Sequence, residues 1–162
     1  MTEQRRFQDP GASVYAFADE FAVVCPRCER EARVVAAEQW DDARLTCAHC
    51  GLTRYAREGR YSVVGGPGYV GPLDWYFGLP LWLRTRCCGN ELWVRNREHL
   101  DFLHGLVEAE LRERPRGENG SGYRNKLMAS RMPQWFLSSK NRGEVLRCLG
   151  RLRDTLVPAG AG

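Results

Sequence analysis

Two cysteine pairs constrain this chain more than any other feature of its sequence. Two residues separate Cys25 from Cys28 and Cys47 from Cys50, and eighteen residues lie between the pairs. Four thiolates can surround one ion, and Zn²⁺ accepts four sulfur ligands in a tetrahedron at about 2.3 Å. The spacing between the pairs is typical of such sites. The four cysteines are therefore predicted to hold one structural zinc ion.

An iron ion is the alternative occupant, because a rubredoxin-like centre uses the same four cysteine ligands. With either metal, four thiolates fill the coordination sphere and leave no open position for a catalytic water. His49 lies inside the second pair, and it is predicted to be a surface residue because its neighbours already saturate the ion. The metal is thus predicted to stabilise a fold and to take no part in a reaction.

Residues 20–64 resemble zinc ribbons of the transcription-factor-B type, through the two cysteine pairs and through Gly51 after the second pair. The resemblance implies a small antiparallel sheet with a cysteine pair at the tip of each β-hairpin and the four cysteines as ligands. It implies no activity, because zinc ribbons occur in many unrelated proteins. The remainder loosely resembles small uncharacterised bacterial zinc-ribbon proteins, through residues 77–82 and 87–89, and this implies no function either.

Apolar periodicity predicts an α+β fold, with strands where apolar residues alternate and helices where they recur three and four apart. Strands are predicted over residues 14–24, 31–37, 43–46, 52–57, 60–64, 81–87 and 91–95. Helices are predicted over residues 97–114, 123–132 and 141–156. Gly89 and Asn90 lie between two alternating runs, which predicts a β-hairpin with Trp82 and Trp93 opposite each other.

Composition divides the chain into four parts. Residues 1–13 are polar and are expected to form a loose tail. Residues 14–64 are the predicted zinc ribbon. Glycines and prolines crowd residues 65–74, which predicts a hinge. Residues 75–157 are expected to form the β-hairpin and two or three helices.

The distribution of apolar residues predicts a cytoplasmic protein with no membrane contact. No apolar run follows a basic start, and the longest mostly apolar stretch, residues 76–83, is too short to cross a bilayer. Thiols stay reduced in the cytoplasm, so the cysteines are expected to be metal ligands and buried thiols. The odd number of seven cysteines agrees with this expectation.

Three cysteines lie outside the two pairs. Cys87 and Cys88 are adjacent, and successive strand residues point to opposite faces, so they are poor joint ligands. Cys148 flanks the apolar stripe of the last predicted helix. All three are predicted to be buried thiols without a metal. A second zinc completed by His99 or His104, and a redox role for the adjacent pair, are the alternatives.

The sequence contains none of the common hydrolase, phosphate-loop or metalloprotease motifs. None of its three histidines lies beside a candidate nucleophile. A non-catalytic protein is therefore expected. A small metal-dependent nuclease or a redox protein is the weaker alternative.

The net charge of +4 conceals an uneven distribution of charge. Residues 1–50 contain six arginines against nine acids, whereas residues 112–153 contain eleven arginines and lysines against three acids. A basic segment of this kind attracts a polyanion. The C-terminal part is therefore predicted to carry any affinity for nucleic acid.

The arginines near the C-terminus are spaced to share helix faces. Arg147 and Arg151 are four residues apart, opposite the leucines of the last predicted helix, and aromatic residues lie between the arginines. Arginine contacts to phosphate and stacking on aromatic rings bind nucleic acid without sequence preference. The predicted nucleic-acid-binding residues are Arg124, Arg131, Arg147 and Arg151. A solvated helix face is the alternative.

Nucleic acid, or a protein associated with nucleic acid, is thus the predicted partner. The alternative function is a protein–protein interaction adaptor that uses the aromatic residues around the hairpin. These residues are Trp75, Tyr76, Phe77, Trp82 and Trp93.

Overall fold

The computed structural model describes residues 6–8, 12–13, 15–38, 42–56, 71–109, 111–113 and 131–156. The strands are β1 Arg6–Gln8, β2 Glu20–Val24, β3 Glu31–Ala36, β4 Ala43–Thr46, β5 Thr53–Ala56, β6 Leu83–Cys87, β7 Asn90–Val94 and β8 Leu111–Glu113. The helices are α1 Arg97–Glu108, α2 Gln134–Leu137 and α3 Arg142–Asp154, with a 3₁₀ turn at Ser139–Asn141. This is the α+β fold that the sequence predicts.

Strands β2 to β5 form a four-stranded antiparallel sheet in chain order. Alternate residues of each strand face the same side, and Val34 lies opposite both Phe21 and Leu45. These three side chains are fully buried and pack with Trp75 and Leu81. We call this sheet with its buried face the ribbon. The predicted strand over residues 60–64 lies outside the described residues.

The second core lies between the β6–β7 hairpin and helices α1 and α3. Leu83 and Val94 of the hairpin, Leu103 of α1 and Leu149 of α3 are completely buried there. Helices α1 and α3, which are amphipathic in sequence, therefore pack their apolar stripes against one face of the hairpin, as predicted.

The turn of the hairpin consists of Cys88 and Gly89, whose φ angles are +51° and +76°. Two successive left-handed residues characterise a type I′ turn, which matches the twist of the strands that it joins. The expected pairing of the two tryptophans is wrong. Trp93 lies opposite Arg84, and Trp82 precedes β6, so the two indole rings pack against different cores.

Helix α1 ends at Glu108, six residues before the predicted end at residue 114. Residues 111–113 instead form β8, which pairs in parallel with β1. The helical propensity of this segment is overridden by pairing with a distant strand. The same pairing places residues 6–8, expected in the loose tail, in a sheet.

The predicted helix over residues 123–132 lies almost entirely outside the described residues. Pro133, which the sequence places after that helix, immediately precedes α2. Proline is favoured at helix starts because it lacks an N–H that would have no intrahelical partner there.

Strand β2 belongs to both cores. Phe21 and Val23 face the ribbon core, whereas Ala22 faces the hairpin and helices. Its Ala22 N–H donates to the Arg95 carbonyl at 2.7 Å, and the Ala22 carbonyl accepts from the Trp82 N–H at 2.9 Å. The ribbon and the helical part are thus connected through one strand.

Asn96 fixes the start of α1 against the ribbon. Its Oδ1 accepts from the His99 N–H at 2.9 Å, which caps the helix. Its Nδ2 donates to the carbonyls of Glu20, at 2.8 Å, and Phe17, at 3.1 Å. One buried amide therefore satisfies a helix terminus and the start of β2 together.

Two basic side chains are buried beside this contact. The Arg95 guanidinium lies 4.8 Å from the Trp75 ring centre and 5.9 Å from that of Phe21, both cation–π distances. Burial lowers the pKa of Arg95 to about 10. The His99 ring stacks on Phe17 at 5.0 Å. Burial, and next the charge of Arg95, lower the pKa of His99 to about 3, so its imidazole is neutral in neutral solution.

The buried histidine makes stability dependent on pH. Unfolded His99 binds a proton below about pH 6.5, whereas the folded protein does not until the pH approaches about 3. The unfolding free energy should therefore fall as the pH falls below about 6.5, by at most about 1.4 kcal/mol per pH unit from this group. Denaturant titrations between neutral pH and pH 5, with zinc present, measure this slope.

NMR of the imidazole resonances checks the assignment without a mutation. The His99 signals should not shift between neutral pH and pH 5. A His99 signal that moves near its ordinary pKa would contradict the neutral buried state.

Candidate metal centre

Each cysteine pair lies in a turn that follows a strand of the ribbon. Cys25 follows β2 and Cys47 follows β4. The Cys25 N–H donates to the Arg30 carbonyl at 2.8 Å, and the Cys47 N–H donates to the Leu52 carbonyl at 2.9 Å. In both turns the N–H four residues after the first cysteine donates to the carbonyl of that cysteine. The two donors are Glu29 and Gly51. The two turns therefore have the same hydrogen-bond pattern.

Both turns require a left-handed residue just after the second cysteine. Gly51 has φ of +73° and Glu29 has φ of +60°. Glycine adopts this conformation without steric cost. Glu29 does not have that freedom, and nothing in the spacing of the cysteines alone indicates its left-handed conformation. Aligning residues 25–30 with residues 47–52 identifies Glu29 as the counterpart of Gly51.

The two turns bring all four cysteine sulfurs within 4.8 Å of one another. The Cys25–Cys50 distance is 3.7 Å and the Cys28–Cys47 distance is 3.6 Å. Sulfurs at the corners of a tetrahedron with zinc bonds of about 2.3 Å lie about 3.8 Å apart. The donor set and its dimensions therefore fit one tetrahedral metal ion, and the four predicted ligands are the residues that meet.

The protonation of these thiols reflects their crowding. Burial raises the pKa of Cys25, but hydrogen bonds from the backbone N–H groups of Cys28 and Arg27 lower it by more. The resulting pKa is about 7, below the ordinary value of a thiol. For Cys28 the Arg30 N–H lowers the pKa, but burial and then the neighbouring cysteine sulfurs raise it to about 12. The Cys25 thiol thus loses its proton easily, whereas loss of the Cys28 proton is unfavourable. A bound dication would remove this resistance by offsetting the repulsion between thiolates.

The remaining cysteines form a second, looser group. Cys87 and Cys148 are buried as predicted, whereas Cys88 is partly exposed in the turn. The Cys87 and Cys88 sulfurs are 3.9 Å apart, and burial, followed by contact with Cys148 and Cys88, raises the pKa of Cys87. In the described part of the chain, the ribbon cysteines are the only set of three or more side chains with metal-ligand spacing. A second zinc site therefore has no support.

His49 is exposed in the second turn, as predicted.

The predicted nucleic-acid-binding arginines have different environments. Arg124 lies outside the described residues, and Arg131 is exposed. Arg147 is exposed and pairs with Glu144 at 2.6 Å. Arg151 is exposed, with its Nη2 atom 3.1 Å from the Cys148 sulfur. Arg147 and Arg151 therefore lie on the outer side of α3, as their spacing predicts.

The aromatic residues offered for an adaptor lie mostly inside the protein. Trp75 and Tyr76 are 2% and 6% exposed. Phe77, Trp82 and Trp93 are half-buried and pack against the two cores. Trp75 and Tyr76 therefore cannot anchor a partner while the protein stays folded, whereas the other three keep part of their surface exposed.

Comparison with known proteins assigns no family to the chain: no protein-family model, curated protein or solved structure matches it. The resemblance to zinc ribbons of the transcription-factor-B type therefore stays a prediction, which rests on the cysteine pairs and the observed sheet. No helix in the described ranges has the length and apolar character needed to cross a membrane.

We predict one zinc ion per chain. The Cys47→Ser variant should lose it and unfold the ribbon, because a small sheet gains much of its folding free energy from the metal. His49→Ala, an exposed change in the same turn, is the matched control and should retain the ion. Elemental analysis measures the metal and separates zinc from iron, and circular dichroism reports the fold. A folded wild-type protein without metal would contradict the prediction.

Cys87 and Cys88 should not contribute to metal binding. Changing both to Ala should leave the zinc content unchanged and lower the unfolding free energy by about 1–3 kcal/mol, since the Cys87 side chain is removed from a packed core. Elemental analysis and denaturant titration measure the two effects. Loss of a second equivalent of metal would show that this group is a metal site.

Proposed function

We propose that this protein is a non-catalytic module that one zinc ion stabilises and that binds nucleic acid, or a complex that processes it, through its basic C-terminal part. The observation that carries the proposal is the two-sided character of α3. Val145 and Leu149 are completely buried in the helical core, whereas Arg147 and Arg151 are exposed on the other side.

The charge around α3 supports a polyanionic partner. Residues 131–156 contain six arginines and lysines against two acids. Two of these arginines pair with acids, Arg147 with Glu144 at 2.6 Å and Arg153 with Asp101 at 2.7 Å. Exposed ion pairs contribute little to stability because water screens them. A phosphate group can therefore take the place of either carboxylate.

The form of the metal centre supports a binding module and not an enzyme. Four sulfurs close the coordination sphere, so water and substrate have no position on the ion. Reduced thiols are also required to hold the metal, which supports a cytoplasmic location as part of the proposal. The adaptor alternative loses support because Trp75 and Tyr76 are buried.

Binding to duplex DNA should weaken steeply with salt. If the four predicted arginines each contact one phosphate, the slope of log affinity against log salt should be about −3 to −4. Changing Arg147 and Arg151 to Gln should make the slope shallower by about two. Glutamine keeps helix propensity, so charge is lost without loss of the helix. Fluorescence anisotropy at several salt concentrations measures both slopes.

The matched control changes Arg27 and Arg30, which are exposed in the first cysteine turn, to Gln. This variant loses the same charge and should keep the wild-type slope. Equal effects of the two double substitutions would show that net charge alone matters. An absence of salt-sensitive binding to DNA and RNA, single- or double-stranded, would reject the proposal.

A further inference from the structure

A groove follows strand β6 of the hairpin. Leu83 and Cys87 of this strand are buried in the helical core, so Arg84 and Arg86, which alternate with them, lie on the opposite face. Both arginines are exposed. The groove has a volume of about 580 Å³, and its lining consists of Arg84, Thr85, Arg86 and Glu91. It therefore presents two guanidinium groups and one carboxylate to solvent.

The groove keeps a positive charge after its internal ion pair has formed. The Glu91 carboxylate is 3.8 Å from the Arg84 guanidinium, and the two side chains are 51% and 44% exposed. Arg86 lies opposite Glu91 in the strand register, but it has no ion-pair partner among the described residues. Exposed ion pairs contribute little to stability because water screens them. An external anion can therefore replace Glu91 and also contact Arg86.

The spacing of the two arginines suits a chain of phosphates. Residues two apart on a strand are separated by about 6.6–6.8 Å along it. Consecutive phosphates of a nucleic-acid strand repeat at a comparable distance. A guanidinium group binds phosphate through two parallel N–H bonds. Arg84 and Arg86 can therefore each contact one of two neighbouring phosphates.

The groove continues onto the basic side of α3. The Cys148 sulfur lies 3.8 Å from the Arg86 carbonyl oxygen and 3.1 Å from Nη2 of Arg151. One sulfur thus contacts β6 on one side and an exposed arginine of α3 on the other. Arg147 lies one turn before Arg151 and is also exposed. The basic surface therefore extends around the edge of β6 to α3.

The dimensions of the groove favour a single strand over a duplex. Clefts of about 300–1,000 Å³ hold small organic ligands, and the groove falls within this range. One nucleotide of a single strand is a ligand of this size. A duplex, whose major groove alone is about 12 Å wide, is too broad to enter. None of the described residues that line the groove is aromatic, so its contacts would be to sugar and phosphate.

We propose that the groove along β6 binds the sugar–phosphate backbone of a single nucleic-acid strand. Arg84 and Arg86 contact consecutive phosphates, and the strand continues around the edge of β6 to Arg151. Backbone contacts carry no sequence information, so binding at the groove is tolerant of sequence. The site rests on the proposed function for the source of its phosphates, and it adds two residues that lie outside the basic C-terminal part.

Changing Arg84 and Arg86 to Gln tests the groove, because it removes both charges and keeps polar side chains. The matched control changes Arg33 and Arg44 to Gln. These are exposed sheet arginines too, and Arg33 is likewise 3.8 Å from an acid, Glu20. Fluorescence anisotropy at several salt concentrations measures the affinity for a labelled mixed-sequence DNA single strand and for its duplex. Circular dichroism and zinc content establish that each variant is folded.

The groove variant should bind the single strand less tightly and with a weaker dependence on salt. Each phosphate contact contributes about −0.7 to the slope of log affinity against log salt on a single strand, so the slope should become shallower by about 1.4. A fourfold rise in salt should then weaken the variant about sevenfold less than the wild type. The control should keep the wild-type slope. On duplex, neither variant should change the slope.

The results distinguish the groove from the proposed function. If changing Arg147 and Arg151 makes the slope shallower but the groove variant does not, the groove is overturned and the proposed function stands. Equal changes in the groove variant and the control would show an effect of net charge alone and would also overturn the groove. An absence of salt-sensitive binding to both the single strand and the duplex overturns both proposals.

Two further results would overturn the single strand as the ligand. One is a change of slope on duplex as large as that on the single strand. The other is displacement of the strand by thymidine 5′-monophosphate at the same nucleotide concentration, which would show a site for one phosphate and not for a chain of them.

Discussion

The four sulfurs of the ribbon impose the strongest constraint on this protein. Side chains that lie within 4.8 Å of one another cannot all become thiolates unless a cation lies between them. Cys25 lies directly after β2, the strand whose two faces contribute to both cores. The ion that holds Cys25 would therefore stabilise the end of the strand on which the ribbon and the helical part both depend.

Buried polar groups make the second connection between the two parts. Asn96 joins the start of α1 to the carbonyls of Phe17 and of Glu20, the first residue of β2, and the Arg95 guanidinium lies at cation–π distance from Phe21 and Trp75. These contacts also determine the state of His99, since the Arg95 N–H occupies Nδ1. The packing that attaches the helices to the ribbon thus also determines which ring nitrogen of His99 carries the proton.

The four-cysteine cluster and the elements around it could be predicted because their information is local. The spacing of the two cysteine pairs alone specifies four candidate ligands. The apolar stripe of α3 specifies that Arg147 and Arg151 lie on the side of the helix that faces water. Gly89 marks the hairpin turn. Predictions that required a distant partner were less accurate. The end of α1 was placed at residue 114 because nothing local indicates that residues 111–113 pair with β1.

The sequence by itself determined the four-cysteine cluster, the α+β class and the amphipathic faces of α1 and α3, since each follows from spacing along one segment. Only the tertiary structure decided which aromatic residues are buried, because Trp75 is covered by Tyr15 and Phe21, which are distant from it in the sequence. It also decided that His99 is buried, with no hydrogen-bond partner for its Nε2 among the described residues. That property depends on Phe17, Arg95 and Trp93 all contacting the His99 imidazole. No periodic pattern of apolar residues in the sequence predicts that these residues come together.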